Sequence, residues 1–314
     1  MKVSELVNER LSTASIPGQR SDEYKLGLVV EGGGMRGVVS GAMSAALENL
    51  NLTNCFDAVY GASAGAMAGA FFVAGSARAG ATIYYEEINN RQFVNPWRLA
   101  LLRPIMDLDF LVYDVFQKKI PLDCEKIIQS PIPLNIVMTD VSTGSKRVVN
   151  NFGTGQEVLE YLKASASNPL FAPSPVVIGE VGYWDAILSE SIPVRTALDD
   201  GCTHVVVLRS RPKLKTRSKM GAIERFLAKQ IILPRSSAAF EAYCRKTEAY
   251  SSELELIDSL KDNCLTIAPS EGTKLSQASK IRADLLGAAK DGYSNALAAF
   301  GAADQTVSSM IGHY

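Results

Sequence analysis

Gly61-Ala62-Ser63-Ala64-Gly65 is a G-x-S-x-G between an apolar run, Phe56 to Tyr60, and a small-residue stretch, Ala66 to Ala74. The run reads as a short buried strand and the stretch as a buried helix. A serine at a sharp strand-to-helix turn presents its hydroxyl, and only small neighbours let the two elements pass so closely. Such a turn serves acyl transfer, with Ser63 as the candidate nucleophile. The competing reading is structural: a helix start made of small residues for close packing.

A serine nucleophile needs a base. The chain holds two histidines, His204 and His313. His204 opens an apolar run and reads as a structural residue, while His313 is penultimate, where chains fray. A Ser-His-Asp triad is therefore poorly supported. A carboxylate can remove the serine proton directly if it lies within hydrogen-bond reach and is partly desolvated. Asp185 is the candidate, because it follows Tyr183-Trp184 and precedes Ala186-Ile187-Leu188. A lone carboxylate in an apolar stretch is costly unless it is paired or used. The alternative for Asp185 is a turn or cap residue.

Gly32-Gly33-Gly34-Met35-Arg36-Gly37 follows a β-branched run, Lys25 to Glu31, and precedes a helical pattern from Val38 to Leu50. It matches the dinucleotide fingerprint G-x-G-x-x-G. A ribose-binding acid should then close the second strand, but Asp57 lies at that strand's start. The other reading is an oxyanion loop, since successive glycines beside a helix N-terminus expose backbone N–H groups. Arg36 steadies that loop, approaches an anionic head group, or is a surface arginine.

The order of a Gly-rich loop, a G-x-S-x-G, an A-S-x-x-x-P and an aspartate before a Pro-led helix resembles the patatin-like phospholipase family. That family's pattern is G-G-G-x-R-G, G-x-S-x-G, A-S-x-x-x-P and D-G-[GA]. Gly32 to Gly37 and Gly61 to Gly65 fit the first two, and Ala164-Ser165-Ala166-Ser167-Asn168-Pro169 fits the third. Asp185 takes the fourth place, and Ser191-Ile192-Pro193 is also similar. The resemblance runs from about Leu26 to Leu208. It implies an α/β fold with a central, mostly parallel sheet flanked by helices in three layers, and a helical C-terminal extension. It also implies a serine acyl-ester hydrolase of the phospholipase A or lysophospholipase kind, with Ser63 as nucleophile and Asp185 as proton acceptor. Gly32, Gly33, Gly34, Arg36 and Gly37 would form the oxyanion and substrate-binding loop. No metal and no cofactor is implied.

One departure stands out: D-G-[GA] is here Asp185-Ala186-Ile187. If φ were positive beside the base, alanine and especially the β-branched isoleucine would be strained. That opens a second reading, a catalytically impaired lipid- or protein-binding module. A nucleotide-binding protein using Gly32 to Gly37 is a third.

The elements that must position these residues follow from periodicity. Strand-loop-helix units in series, at 25–50 and 56–74, predict a parallel sheet with right-handed crossovers. Residues 78–130 read as helical and irregular. Leu134 to Val141 and Ser145 to Asn150 read as a hairpin across Thr143-Gly144. Thr154-Gly155-Gln156-Glu157 is a capping box opening a helix to about Ser165. Residues 164–175 are a loop, Val176 to Ile178 a short strand, and Gly182 to Ala186 a turn or strand end. Ile192 to Asp200 is a short helix and His204 to Leu208 a further buried parallel strand. Helices are expected at about 220–232, 236–262 and 277–300, with a strand at Cys264 to Ala268. Residues 1–23 read as a polar lead-in with a short helix at Val3 to Leu11. Residues 24–210 read as the hydrolytic core, and 211–314 as an extension packed on the same domain.

Composition limits the partners. A net charge of −1 gives no global field for nucleic acid. Five spaced cysteines without a C-x-x-C argue against a zinc knuckle and suit a reducing compartment. No signal peptide and no bilayer-spanning stretch is legible. The expected setting is the cytoplasm, reaching lipid from the inner membrane face. The expected partner is a lipid or acyl-ester substrate. Residues 209–219 hold six basic residues in eleven and read either as a solvated loop or as a peripheral contact with an anionic membrane surface.

Overall fold

The computed structural model describes residues 1–101 and 103–302. The order is α1 (Val3–Ser12), β1 (Leu26–Val30), α2 (Gly37–Asn49), β2 (Ala58–Ala62), α3 (Ala64–Val73), α4 (Ala77–Glu86), α5 (Cys124–Gln129) and β3 (Leu134–Asp140). It continues with β4 (Lys146–Val149), α6 (Gly155–Ser165), β5 (Val176–Ile178), β6 (Val181–Asp185), α7 (Val194–Asp199) and β7 (His204–Leu208). Then come α8 (Ala222–Ile231), α9 (Ser237–Ser259), β8 (Cys264–Ile267) and α10 (Arg282–Ala299). A π-helix, Phe110–Lys119, lies between α4 and α5.

The eight strands form one sheet in the order β5-β6-β3-β2-β1-β7-β8, with β4 paired to β3. The centre, from β3 through β2, β1 and β7 to β8, is parallel, whereas β4 and β6 run antiparallel to β3, and β5 antiparallel to β6. Every residue of β1, β2 and β7 is buried, which explains their continuous apolar runs: helices cover both faces. Leu26, Leu28 and Val30 face a core shared with α1, α2, α3 and α10. Val29, Tyr60, Val205 and Val207 face the second core, with α7 and Tyr250 and Ile257 of α9. The result is the three-layer α/β arrangement expected from the sequence.

Several boundaries differ from the sequence reading, each for a local reason. β2 runs two residues later than expected, to Ala62, because Asp57 is held at its entry by the Leu26 carbonyl and by Arg10 and Arg20. The turn before α3 is thus Ser63 alone. Of the two readings of 182–186, a turn or a strand end, the second is found: residues 181–185 form a full strand, paired with both β3 and β5. The helix expected from Ile192 begins at Val194, since the amides of Ser191 and Ile192 donate to the Glu253 carboxylate. The helix expected from 277 begins at Arg282, with the Gln277 carbonyl accepting from Met35 N–H. The capping box is half formed. Thr154 accepts from the Glu157 amide, but the Glu157 carboxylate takes Gly153 N–H in place of the Thr154 amide.

β3 is the strand that brings the chemistry together. β4 runs along one of its edges. Along the other, β2 pairs as far as Ala62↔Val137, and β6 takes over at Asp185↔Met138. The residue before Ser63 and the candidate base are therefore partners of consecutive β3 residues.

Candidate active site

Ser63 stands at the junction of β2 and α3 with φ 55° and ψ −126°. That left-handed conformation in a residue with a Cβ costs roughly 1–3 kcal/mol and persists only where the surroundings impose it. Here they do. Ser63 N–H donates to Ser165 Oγ at 2.8 Å, and Ser165 Oγ donates to the Val137 carbonyl at 2.5 Å. Ser165 thus plugs the gap on β3 where β2 ends. A Cβ on Gly65 would strike the Val30 carbonyl, so the second glycine of the motif lets α3 cross over β1.

Ser63 Oγ donates to Asp185 Oδ2 at 2.9 Å. Asp185 Oδ1 accepts from Ile187 N–H at 2.8 Å, and the Asp185 main chain is held by Ser167 and Thr139. Burial pushes the Asp185 carboxyl up to about 6, against the hydrogen bonds from Ile187 and Ser63 and the charge of Arg217, which favour ionisation. The carboxylate is thus desolvated, oriented by one amide and aimed at the serine hydroxyl. A pair in this state can pass a proton from Oγ to Oδ2 as Oγ attacks an electrophile.

The Gly-rich loop divides its amides. Gly32 N–H donates to the Ser191 carbonyl, Met35 N–H to that of Gln277 and Arg36 N–H to that of Gly33. Among the described residues, the Gly33 and Gly34 amides have no hydrogen-bond partner. Gly34 has φ +57°, and a Cβ there would also meet the Gln277 carbonyl. Gly32, Gly33 and Gly34 line a pocket with Ser63 and Asp185, whereas Arg36 and Gly37 do not line it. Arg36 is buried beside Arg211 and Arg217 and faces Glu31, and burial is the main cause that lowers it to about 10. Among the described residues the cation on the pocket wall is Arg217, which donates to Ser191 Oγ at 3.1 Å and lies over the Tyr250 ring.

The rest of the pocket is mostly apolar. Met67, Phe71, Ile83, Tyr84, Phe93, Met106, Leu108, Leu111 and Phe116 line it, with Asn168, Ser191 and Gln277 among its polar groups. Phe72, next to Phe71 in the chain, does not line the pocket and is core, packed edge-on to Phe56. No local pattern points to Met106, Leu108 or Leu111, which reach the pocket from the irregular segment before and within the π-helix.

His204 lies at the opposite end of the sheet, bonded to the Met1 carbonyl and Thr203. His313 falls outside the described residues. Asp57, the acid required by the dinucleotide reading, is bound to Arg10, Arg20 and the Leu26 amide, away from the glycine loop. Among the described residues no group of three His, Cys, Asp or Glu is placed to hold a metal ion. None of the described helices is long and apolar enough to cross a membrane.

The patatin-like phospholipase family model matches residues 28–198. The chain belongs to that family. The family is one of lipid acyl hydrolases, and its matched region holds Ser63, Asp185 and the glycine loop. An Escherichia coli protein, "Uncharacterized protein YjjU", is 27% identical over 189 residues, which is 60% of this chain and 52% of that protein. The chain thus aligns with about half the length of this relative. The crystal structure of VipD from Legionella pneumophila is similar over 89% of this chain and 67% of that one, at 15% identity and a TM-score of 0.47.

Within the patatin-like frame, the departure at 186–187 is accommodated. Neither Ala186 nor Ile187 has a positive φ, so neither is strained in place of glycine. The Ile187 side chain packs against a cluster of Trp184, Leu188, Ala228, Ile232 and Tyr243. Its bulk meets the C-terminal extension, a contact for which glycine or alanine has no side chain long enough.

Proposed function

We propose that the protein hydrolyses acyl esters of lipids, as a phospholipase A or lysophospholipase does, through Ser63 and Asp185. The observation that carries this reading is the 2.9 Å hydrogen bond from Ser63 Oγ to a buried Asp185 carboxylate at the end of an apolar pocket. Asp185 Oδ2 takes the hydroxyl proton as Ser63 Oγ bonds to the ester carbonyl carbon. The carbonyl oxygen becomes an oxyanion that the Gly33 and Gly34 amides accommodate; one such donor is typically worth ~3 kcal/mol. The tetrahedral intermediate then expels the alcohol, which takes the proton from Asp185. Water, deprotonated by Asp185, attacks the acyl-serine and releases the fatty acid and the Ser63 hydroxyl. The acyl chain lies between Phe71, Leu111 and Phe116, and the alcohol side faces Arg217 and Asn168.

A fluorophosphonate probe tests the nucleophile. The wild type is expected to label at Ser63 and Ser63→Ala is expected to stay unlabelled. An unlabelled wild type that is also inert toward a panel of acyl esters would leave the impaired binding module as the better reading.

A further inference from the structure

The basic stretch at 209–219 does not behave as one surface. Arg209, Arg211 and Arg217 turn inward around Tyr250 and Glu31, whereas Lys213, Lys215 and Lys219 are exposed. Just beyond it, α8 carries an apolar pair on its outer face. Ile223 is 78% exposed and Phe226 61% exposed, and Leu214 in the preceding loop is 81% exposed. Residues three apart on a helix share a face. The opposite side of α8 buries Ala228 and, just past its end, Ile232, and Glu224 binds Lys246 and Tyr243 of α9. The exposed pair is therefore not part of the core.

The charge around that pair is one-sided. Residues 209–235 contain nine basic residues and one acid, Glu224, leaving 23 basic and 32 acidic residues for the rest of the chain. Arg225, Lys229 and Arg235 are exposed, as are the three lysines of the loop. A helix with bulky apolar residues outward and cations beside them suits the headgroup region of an anionic bilayer. The location fits as well. α8 begins shortly after Arg217, a pocket residue, and its buried side rests on the cluster that holds Ile187, the amide donor to Asp185.

We propose that α8 and the loop before it dock on an anionic lipid surface, with Ile223, Phe226 and Leu214 inserted and Lys213, Lys215, Lys219, Arg225 and Lys229 against the headgroups. Docked this way, the pocket lies next to the bilayer from which its substrate is drawn. The inference rests on the lipid-hydrolase reading for its purpose but not for its test.

The test uses the full chain carrying Ser63→Ala, so that vesicles stay intact. It is expected to float with vesicles of equimolar phosphatidylcholine and phosphatidylglycerol and not with phosphatidylcholine alone. Adding Ile223→Ser with Phe226→Ser, or Arg225→Glu with Lys229→Glu, should weaken flotation about tenfold or more. In the active background both double variants should cleave a water-soluble short-chain ester at the wild-type rate and a vesicle-borne ester more slowly. Equal binding to neutral vesicles, or unchanged binding of the Ile223→Ser, Phe226→Ser variant, would overturn the proposal. So would a wild-type dimer in sedimentation that this double variant dissociates, since the face would then belong to a second copy. Flotation as expected from a protein that cleaves neither ester would leave docking standing and remove the hydrolase reading.

Discussion

At the scale of single residues, Asp185 carries two opposed demands. In the proposed reaction it must be ionised to take a proton, and burial resists ionisation and raises the carboxyl to about 6. The activity at limiting substrate should therefore rise with pH through a limb centred near about 6 and then level. Asp185→Asn should lose that limb and roughly 10²–10⁴ of the rate on a soluble ester. The same shift has a stability sign. The folded carboxyl keeps its proton to higher pH than the ordinary value of 3.8. The folded state thus binds more protons than the unfolded state between those values, and stability falls as pH rises through the window. Asp185→Asn removes that loss. It should be more stable than the wild type at pH 7, by up to ~3 kcal/mol for a carboxyl raised from 3.8 to about 6. The gap should close as pH drops below about 4. Melting curves of the two proteins across this range would settle it; a variant less stable than the wild type at pH 7 would show that its lost hydrogen bonds outweigh the relieved charge.

At the scale of elements, the site depends on how β3 divides its edge between β2 and β6. Ser165 closes that division through the Ser63 amide and the Val137 carbonyl. Ser165→Ala leaves a buried N–H without an acceptor, a cost of ~1–3 kcal/mol. It also frees the backbone whose left-handed conformation presents Oγ. The expected outcome is a lower melting temperature together with a fall in kcat larger than any change in KM, read from steady-state kinetics on a soluble ester. A fall in melting temperature with kinetics unchanged would make Ser165 a folding residue only. The A-S-x-x-x-P pattern marked this serine in the sequence. Its partners were not legible, because they lie on strands far from it in the chain.

At the scale of the whole molecule, the C-terminal extension is part of the site as well as of the fold. β8 pairs with β7, and a Cβ on Gly292 of α10 would meet the Val39 carbonyl of α2. From α9, Glu253 holds the Ser191 and Ile192 amides, and the Ser191 carbonyl in turn holds Gly32. Gln277 holds Met35 from the other side. Two consequences are testable. A chain ending at residue 210 should be insoluble or lack a cooperative melt, since it exposes a sheet edge and the α2 face. Glu253→Ala should fold yet lose activity by loosening Ser191 and the glycine loop, with Glu253→Gln, which retains a carbonyl acceptor, recovering part of it. Equal rates for both variants and the wild type would show that the extension does not position the loop. The N-terminal segment is likewise built in. Arg10 is buried and joins Asp22, Asp57 and the Cys55 and Tyr24 carbonyls.

The sequence by itself determined the class of fold and marked the candidate chemical groups. Continuous β-branched runs give buried parallel strands, and the spacing of glycines around Ser63 specifies a turn that larger residues would block. The scarcity of histidine directed attention to a carboxylate. These properties are local, set by what neighbouring backbone atoms permit. The tertiary structure alone decided which Gly-loop amides are left free, that Arg217 and not Arg36 lines the pocket, and that Ile187 rests on an extension helix. It also decided that half of the basic loop faces inward. Each of these depends on contacts between residues far apart in the chain, where local periodicity carries no information about which partner a side chain meets.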